Sequence, residues 1–266
     1  MAKILFIGDV VGKPGRKVLR EVLPQWKMDY QPDAVVVNVE NLAHGKGVTP
    51  ITLAEVDEIG IDCFTSGNHI FDKKDFVEEC FNKYPKLIRP VNLPGTFAGH
   101  GFYRFSKEGL QYLVINLHGT VFLEKEFGGQ VQNPFLGIDQ VLASERQKDD
   151  IIIVDFHAEA TSEKIAMGYY LEGRVSFITG THTHVPTADA RVLPKGTAFI
   201  TDTGMTGSLE GVIGVKKQNV LEKFLNPEAK FKNEMEEEGI LQINGVLIEV
   251  DTKGKAIKIE KLHKEI

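Results

Sequence analysis

The 266-residue chain is 42% hydrophobic and 26% charged, proportions ordinary for a globular protein able to bury a sizeable core. Its formal net charge of −6 argues against nonspecific attraction to a nucleic-acid backbone, which needs a basic surface. Two cysteines, Cys63 and Cys80, imply no disulfide framework and point to a reducing compartment, with burial as their simplest role.

The first apolar run, Ile4 to Ile7, is far too short for a signal peptide or a membrane span, and no later run reaches spanning length. A soluble, cytoplasmic protein with no membrane partner is expected. The run Lys3 to Ile7 stops at Gly8-Asp9 and reads as a strand buried on both faces in a parallel sheet. A glycine-containing loop, Gly12 to Gly15, then leads to a helix whose face is Val18, Leu19, Val22, Leu23 and Trp26, with Pro24 near its end.

The pattern repeats. Ala34 to Val39 ends at Glu40-Asn41 and enters a loop, Leu42 to Val48, in which Lys46 reads as an exposed lysine rather than a phosphate contact. Thr49 caps the next helix and Pro50 occupies its first turn. Ile61 to Ser66 is a third strand, delivering Gly67-Asn68-His69 before a helix over Asp72 to Asn82. Gly101 to Phe105 and Leu110 to Leu117 flank Lys107-Glu108-Gly109 as an antiparallel hairpin, which begins a second sheet or an antiparallel extension of the first.

Gly128 to Gly137 reads as loop and Ile138 to Arg146 as helix, followed by the buried strand Ile151 to Val154 with Asp155-Phe156-His157 at its end. A helix over Ser162 to Leu171, with Ile165, Ala166, Tyr169 and Tyr170 near one face, leads to Val175 to Ile178 and then His182 and His184. An extended backbone there points both imidazoles the same way. Ala190 to Leu193 and Thr197 to Thr201 read as strands, Asn219 to Leu225 as a helix, and Ile240 to Val250 with Ala256 to Leu262 as a closing hairpin. The acidic run Glu234 to Glu238 reads as solvated. With no repeat and no linker, residues 1–266 read as a single domain.

Ligands of open α/β sheets collect at the carboxyl ends of strands. That edge presents Asp9, Glu40, Asn41, Asn68, His69, His157, His182 and His184. Leaving His69 aside, three imidazoles, two carboxylates and two amide oxygens exceed one tetrahedral ion and suit two. The nitrogen and oxygen mixture favours iron, manganese, zinc or cobalt over magnesium or calcium.

The succession Gly8-Asp9, Glu40-Asn41, Gly67-Asn68-His69, His157 and Gly180-Thr181-His182-Thr183-His184 resembles the calcineurin-like metallophosphoesterase superfamily, and within it the bacterial YmdB-type family. Segments 4–12, 155–164 and 201–207 look like that family's hallmarks. Val11 stands where the wider superfamily has a histidine, so one ligand of the wider pattern is lost. The resemblance implies an α/β fold of two mixed β-sheets packed face to face and flanked by helices, an α/β/β/α sandwich. It also implies one metal held by Asp9, Glu40, Asn41 and His184, and another by Glu40, Asn68, His157 and His182, with iron the leading candidate.

On that resemblance the chain is expected to be a phosphodiesterase acting on small cyclic nucleotides, with 2′,3′-cyclic nucleotides foremost. A hydroxide bridging the two metals attacks in line, and His69 protonates the leaving alkoxide as general acid. The alternatives are a phosphomonoesterase on nucleotides or phosphoproteins, and a metal-binding regulatory protein acting through a partner in RNA metabolism. Asp155 and Asp202 are candidates for orienting ligand imidazoles, while His44, His100, His118 and His263 carry no assignment. Self-association into a homo-oligomer is a further expectation.

Overall fold

Side chains that alternate in direction along strands buried on both faces sort the chain into layers. The computed structural model describes residues 1–228, 230 and 232–266. In its first half run β1 (Ala2–Ile7), α1 (Gly12–Tyr30), β2 (Ala34–Asn38), α2 (Pro50–Asp57), β3 (Cys63–Thr65), α3 (Lys74–Lys83), β4 (Phe102–Lys107) and β5 (Leu110–His118). There follow α4 (Pro134–Glu145), β6 (Ile151–His157), α5 (Thr161–Tyr170), β7 (Phe177–Thr181), β8 (Arg191–Val192), β9 (Ala198–Ile200), β10 (Gly207–Ser208), α6 (Lys217–Leu225), β11 (Leu241–Val250) and β12 (Ala256–Glu265).

One sheet has the order β10-β11-β1-β2-β3, with β12 also paired to β11; the other has the order β4-β5-β6-β7-β9-β8. Both are mixed. β1, β2 and β3 are mutually parallel while β11 lies antiparallel to β1, and β5, β6, β7 and β9 are parallel while β4 is antiparallel to β5.

Period-two side chains then make three apolar layers. Ile4, Phe6 and Val36 of the first sheet pack against Val114, Ile153 and Phe177 of the second. Their neighbours Leu5, Ile7, Val35 and Val37 face the other way, onto Val18 and Leu19 of α1 and Leu53 and Val56 of α2. On the far side Ile152, Val154 and Ile178 meet Ile138 and Val141 of α4 and Met167 of α5. The result is the α/β/β/α sandwich expected from the sequence. Cys63 and Cys80 are free thiols, both buried.

Where each parallel strand reaches its carboxyl end, the layer between the sheets turns polar. Asn38, Thr65, Asn116, Asp155 and Thr181 succeed the apolar positions and are all buried. Asp155 accepts from Asn38 Nδ2 (2.9 Å), Thr65 Oγ1 (2.5 Å) and Thr181 Oγ1 (2.7 Å), so one carboxylate ties β2 and β3 to β7.

Several sequence expectations need correction. Gly12 to Gly15 is the first turn of α1 rather than a loop. Pro14 suits an early helical position, and a Cβ on Gly15 would lie 2.5 Å from the Thr206 carbonyl, so glycine lets the turn dock against the segment leading into β10. Pro24 sits inside α1, which continues to Tyr30. It lies four residues after the exposed Arg20, whose carbonyl loses its helical partner and can be hydrated.

The buried face of α5 is Glu163, Lys164, Met167 and Gly168, while Tyr169 and Tyr170 are exposed. Glu163 takes the Thr120 amide and hydroxyl, both at 2.9 Å, and Lys164 pairs with Asp202 at 2.7 Å, so these charges enter the interior with partners. The backbone is not extended at the two histidines: His182 (φ 92°) and His184 (φ 65°) both have positive φ. α4 begins earlier than expected, at Pro134, because Asn133 caps it by accepting from Phe135 N (2.9 Å). The short β10 carries no apolar run, so periodicity gives no sign of it.

Candidate metal and catalytic site

The two sheets deliver their donors to one place. From the first come Asp9 beyond β1, Glu40 and Asn41 beyond β2, and Asn68 and His69 beyond β3; from the second come His157 at the end of β6 and His182 and His184 beyond β7. His157 Nε2 is central, 2.9 Å from Asn68 Oδ1, 3.1 Å from His182 Nδ1 and 3.3 Å from Glu40 Oε1. Ligand atoms of Glu40, His157 and His182 all lie within 4.8 Å of one another. Next to them, His184 Nε2 is 3.3 Å from Asn41 Nδ2 and 3.9 Å from Asp9 Oδ1. With the His69 amide donating to Glu40 Oε2 (3.1 Å), all eight residues singled out in the sequence are neighbours.

Glycine makes this approach feasible. A Cβ on Gly67 would overlap the His157 ring at 2.2 Å, and one on Gly8 would lie 1.8 Å from the Gly204 carbonyl. The glycines of Gly8-Asp9 and Gly67-Asn68-His69 thus create the space that the donors share.

Each imidazole has an acceptor for the nitrogen turned away from the cluster. His157 Nδ1 meets Thr181 Oγ1 (2.9 Å), His182 Nε2 meets Glu159 Oε2 (3.0 Å), His184 Nδ1 meets the Ile213 carbonyl (3.0 Å), and His69 Nδ1 meets Asp72 Oδ2 (2.9 Å). In His157, His182 and His184 a ring that donates outward leaves its inner nitrogen as the one that can offer a lone pair, the arrangement metal-binding histidines use. Glu159, Thr181 and Ile213 were not identified from the sequence. Of the two aspartates left open there, Asp155 reaches His157 through Thr181, and Asp202 accepts from the Thr183 amide (3.3 Å) and hydroxyl (2.6 Å) between the paired histidines.

The electrostatics suit a cation. Burial raises the Asp9 carboxyl above its ordinary value, against the pull of His184 and His157. For Glu40 burial acts in the same sense, but the charge and hydrogen bond of His157 outweigh it and the carboxyl falls well below its usual range. Burial pushes His182 down to about 2, so its ring is neutral. Burial also works against the charge on His157, yet Glu40 and then Asp9 hold it up at about 9. A proton and a metal ion compete for that same Nε2 lone pair.

Among the described residues, Asp9 Oδ1 and Asn41 Oδ1 are buried without a hydrogen-bond partner. Buried acceptors of that kind call for an explanation, and metal ions supply one. The donors present fit metal ions. His118, unassigned in the sequence, ends β5 in register with His157, their ring centroids 6.0 Å apart. Burial and then the His157 charge push His118 down to about 4. Lys46 lines the cavity over the donors and is half-buried, not exposed as the sequence suggested.

A two-sheet sandwich with this donor cluster at its strand ends defines a metallophosphoesterase-like protein. The chain belongs to the YmdB-like protein family, whose model matches residues 5–262. It is 43% identical over 265 residues to a Bacillus subtilis 2′,3′-cyclic-nucleotide 2′-phosphodiesterase, covering 98% of this chain and 96% of that one. Among solved structures, a novel phosphatase of Mycoplasma pneumoniae superposes with a TM-score of 0.91 at 37% identity, covering 99% of this chain and 93% of the other. A hypothetical protein of Thermus thermophilus superposes with a TM-score of 0.90 at 35% identity, covering 99% of both chains. Among the described residues, no helix is long and apolar enough to cross a membrane.

Proposed function

We propose that this phosphoric ester hydrolase is a metal-dependent phosphodiesterase that opens 2′,3′-cyclic nucleotides. The observation that carries the reading is the convergence of donors from both sheets around two orphaned buried oxygens, beside a cavity that His69 also lines. The activity named for the Bacillus subtilis relative supports the substrate class. Asp9, Glu40, Asn41 and His184 would hold one ion and Glu40, Asn68, His157 and His182 the other, with Glu40 shared. Iron, manganese and zinc all accept this nitrogen and oxygen set. Bound ions of this kind acidify water and neutralise the charge of a phosphate in displacement.

The chain's own groups do the rest. Water adds to phosphorus, the bond from phosphorus to one ribose oxygen breaks, and that oxygen needs a proton. His69 supplies it from Nε2, its Nδ1–H being committed to Asp72, and the proton given up by the added water restores His69 to its acid form by way of solvent. Glu40 Oε2 accepts from the His69 amide (3.1 Å), which fixes the general acid relative to the shared carboxylate. In this reading residues 1–266 act as one domain in the cytoplasm, a compartment that keeps Cys63 and Cys80 reduced.

Elemental analysis of purified protein beside Asp9→Asn and His182→Ala variants, with 2′,3′-cyclic AMP hydrolysis on the same samples, tests this. About two metals per chain, falling together with activity in both variants, is expected. Full metal content with no diester hydrolysis would overturn it.

A further inference from the structure

The cavity above the donor cluster has a volume of about 450 Å³, within the range of small-molecule sites, and its lining has two characters. Its floor is the polar cluster. Its wall is Val212, Ile213, Val215, Val220, Phe224 and Met235, drawn from the segment between β10 and β11.

This wall is built onto the site. The Ile213 carbonyl accepts from His184 Nδ1, so the turn that carries the Ile213 side chain is bonded to a donor of the floor. Val215 bridges both Val212 and Met235. Met235 packs so closely on Gly45 that a Cβ there would lie 2.3 Å from its sulfur, which joins the wall to the loop after Glu40-Asn41. Val220 and Phe224, four residues apart on α6, share one helical face. Phe224 is 77% exposed and Ile213 52%, leaving apolar surface at the cavity for a ligand to cover.

A phosphate seated on the floor leaves its organic substituent against this wall. An aromatic ring and a polarisable thioether match a flat heteroaromatic group better than a second phosphate or a sugar. We propose that the wall is the base-binding subsite for a nucleoside cyclic phosphate, with Phe224 as its stacking platform and Met235 and Ile213 packing beside it. This assignment rests on the phosphodiesterase reading of the floor. It makes α6, none of whose residues is fully buried, an element that is completed by substrate.

The test compares kcat/KM for 2′,3′-cyclic AMP with that for glycerol 1,2-cyclic phosphate, which has the same ring phosphate and no base. The ratio falls roughly tenfold in Phe224→Ala, through KM for the nucleotide, as expected for loss of one base stack. Phe224→Trp restores it. Equal ratios in wild type and Phe224→Ala overturn the proposal. So does a Phe224→Ala protein whose mass by light scattering drops while its ratio holds, since the ring then belongs to a contact with a second copy. Should wild-type protein hydrolyse neither cyclic phosphate, the phosphodiesterase reading falls. Calorimetry with adenosine 3′-phosphate then decides the subsite alone: weaker binding by Phe224→Ala upholds it, and equal binding overturns it.

Discussion

Because Nδ1 of His69 is engaged by Asp72 at 2.9 Å, Nε2 is the nitrogen left for chemistry, 3.4 Å from the Asn68 amide nitrogen. The ring stands beside the donor cluster and retains 26% side-chain exposure, whereas His157 has none. In the proposed role of general acid, His69 is removable without dismantling the donor cluster, so His69→Ala should lower kcat by roughly 10²- to 10⁴-fold. Its metal content should equal that of wild type. Loss of metal in step with activity would instead make His69 a ligand. The donors were legible in the sequence because each follows an apolar run closely, and β-strand geometry carries such positions to a common edge. Their outward partners were not. Glu159 lies two residues past His157 yet serves His182, and Ile213 contributes only a backbone carbonyl, which every residue possesses.

At the scale of elements, the ends of β6 and β7 form a relay. Burial raises the Asp155 carboxyl to about 6, with His157 and the Thr65 and Thr181 hydroxyls opposing the rise, so above that pH Asp155 can only accept. The Thr181 proton is therefore given to Asp155, and the Thr181 oxygen is left to accept from His157 Nδ1–H. That sequence of bonds fixes the lone pair of His157 on Nε2, facing Glu40 and Asn68. Thr181→Val keeps the shape and removes the relay; it should weaken metal binding about 10- to 100-fold, measured by competition with a chelator. Unchanged affinity would show that packing alone orients the ring.

The next pair of elements, α5 and the segment after β9, is joined by Lys164 and Asp202, 1% and 0% exposed as side chains. Asp202 holds Thr183 and the Gly204 amide (2.7 Å), bracing the turn in which His182 and His184 adopt positive φ. Lys164→Met strands a buried carboxylate and should cost about 3–5 kcal/mol in a denaturant titration, of which a Lys164→Met, Asp202→Asn double variant recovers a large part. A loss under about 1 kcal/mol, the scale of an exposed pair, would refute the coupling. Apolar periodicity misplaced the face of α5 because it scores Tyr169 and Tyr170 as interior and Lys164 as exterior. A distant carboxylate reverses that ordering, and the local pattern holds no record of it. The turn at the two histidines escaped for a related reason: a histidine at positive φ leaves no mark in the sequence comparable to that of glycine.

Across the whole molecule the donors divide between the sheets, with Asp9, Glu40, Asn41 and Asn68 on one and His157, His182 and His184 on the other. The sheets are also joined by the apolar layer between them, including the Phe6–Phe177 ring contact at 5.9 Å, and by buried hydrogen bonds such as those to Asp155 and from Ser66 N to Asn116 Oδ1 (3.0 Å). Ions bound by both sheets would cross-link the sandwich at its polar end, where apolar packing stops. Unfolding separates the donors, so only the native state binds strongly, and ions at about a thousand times their dissociation constant add about 4 kcal/mol. For a chain of this length that corresponds to a Tm shift on the order of 10 °C. Stripping the protein with a chelator should lower Tm by that amount, and adding back iron or manganese should restore it. Glu40→Ala, which removes the carboxylate assigned to both ions, should start near the stripped value and respond weakly to chelator. A Tm indifferent to chelator in wild-type protein would mean that the two sheets close equally well without ions, and that the donor cluster does not join them.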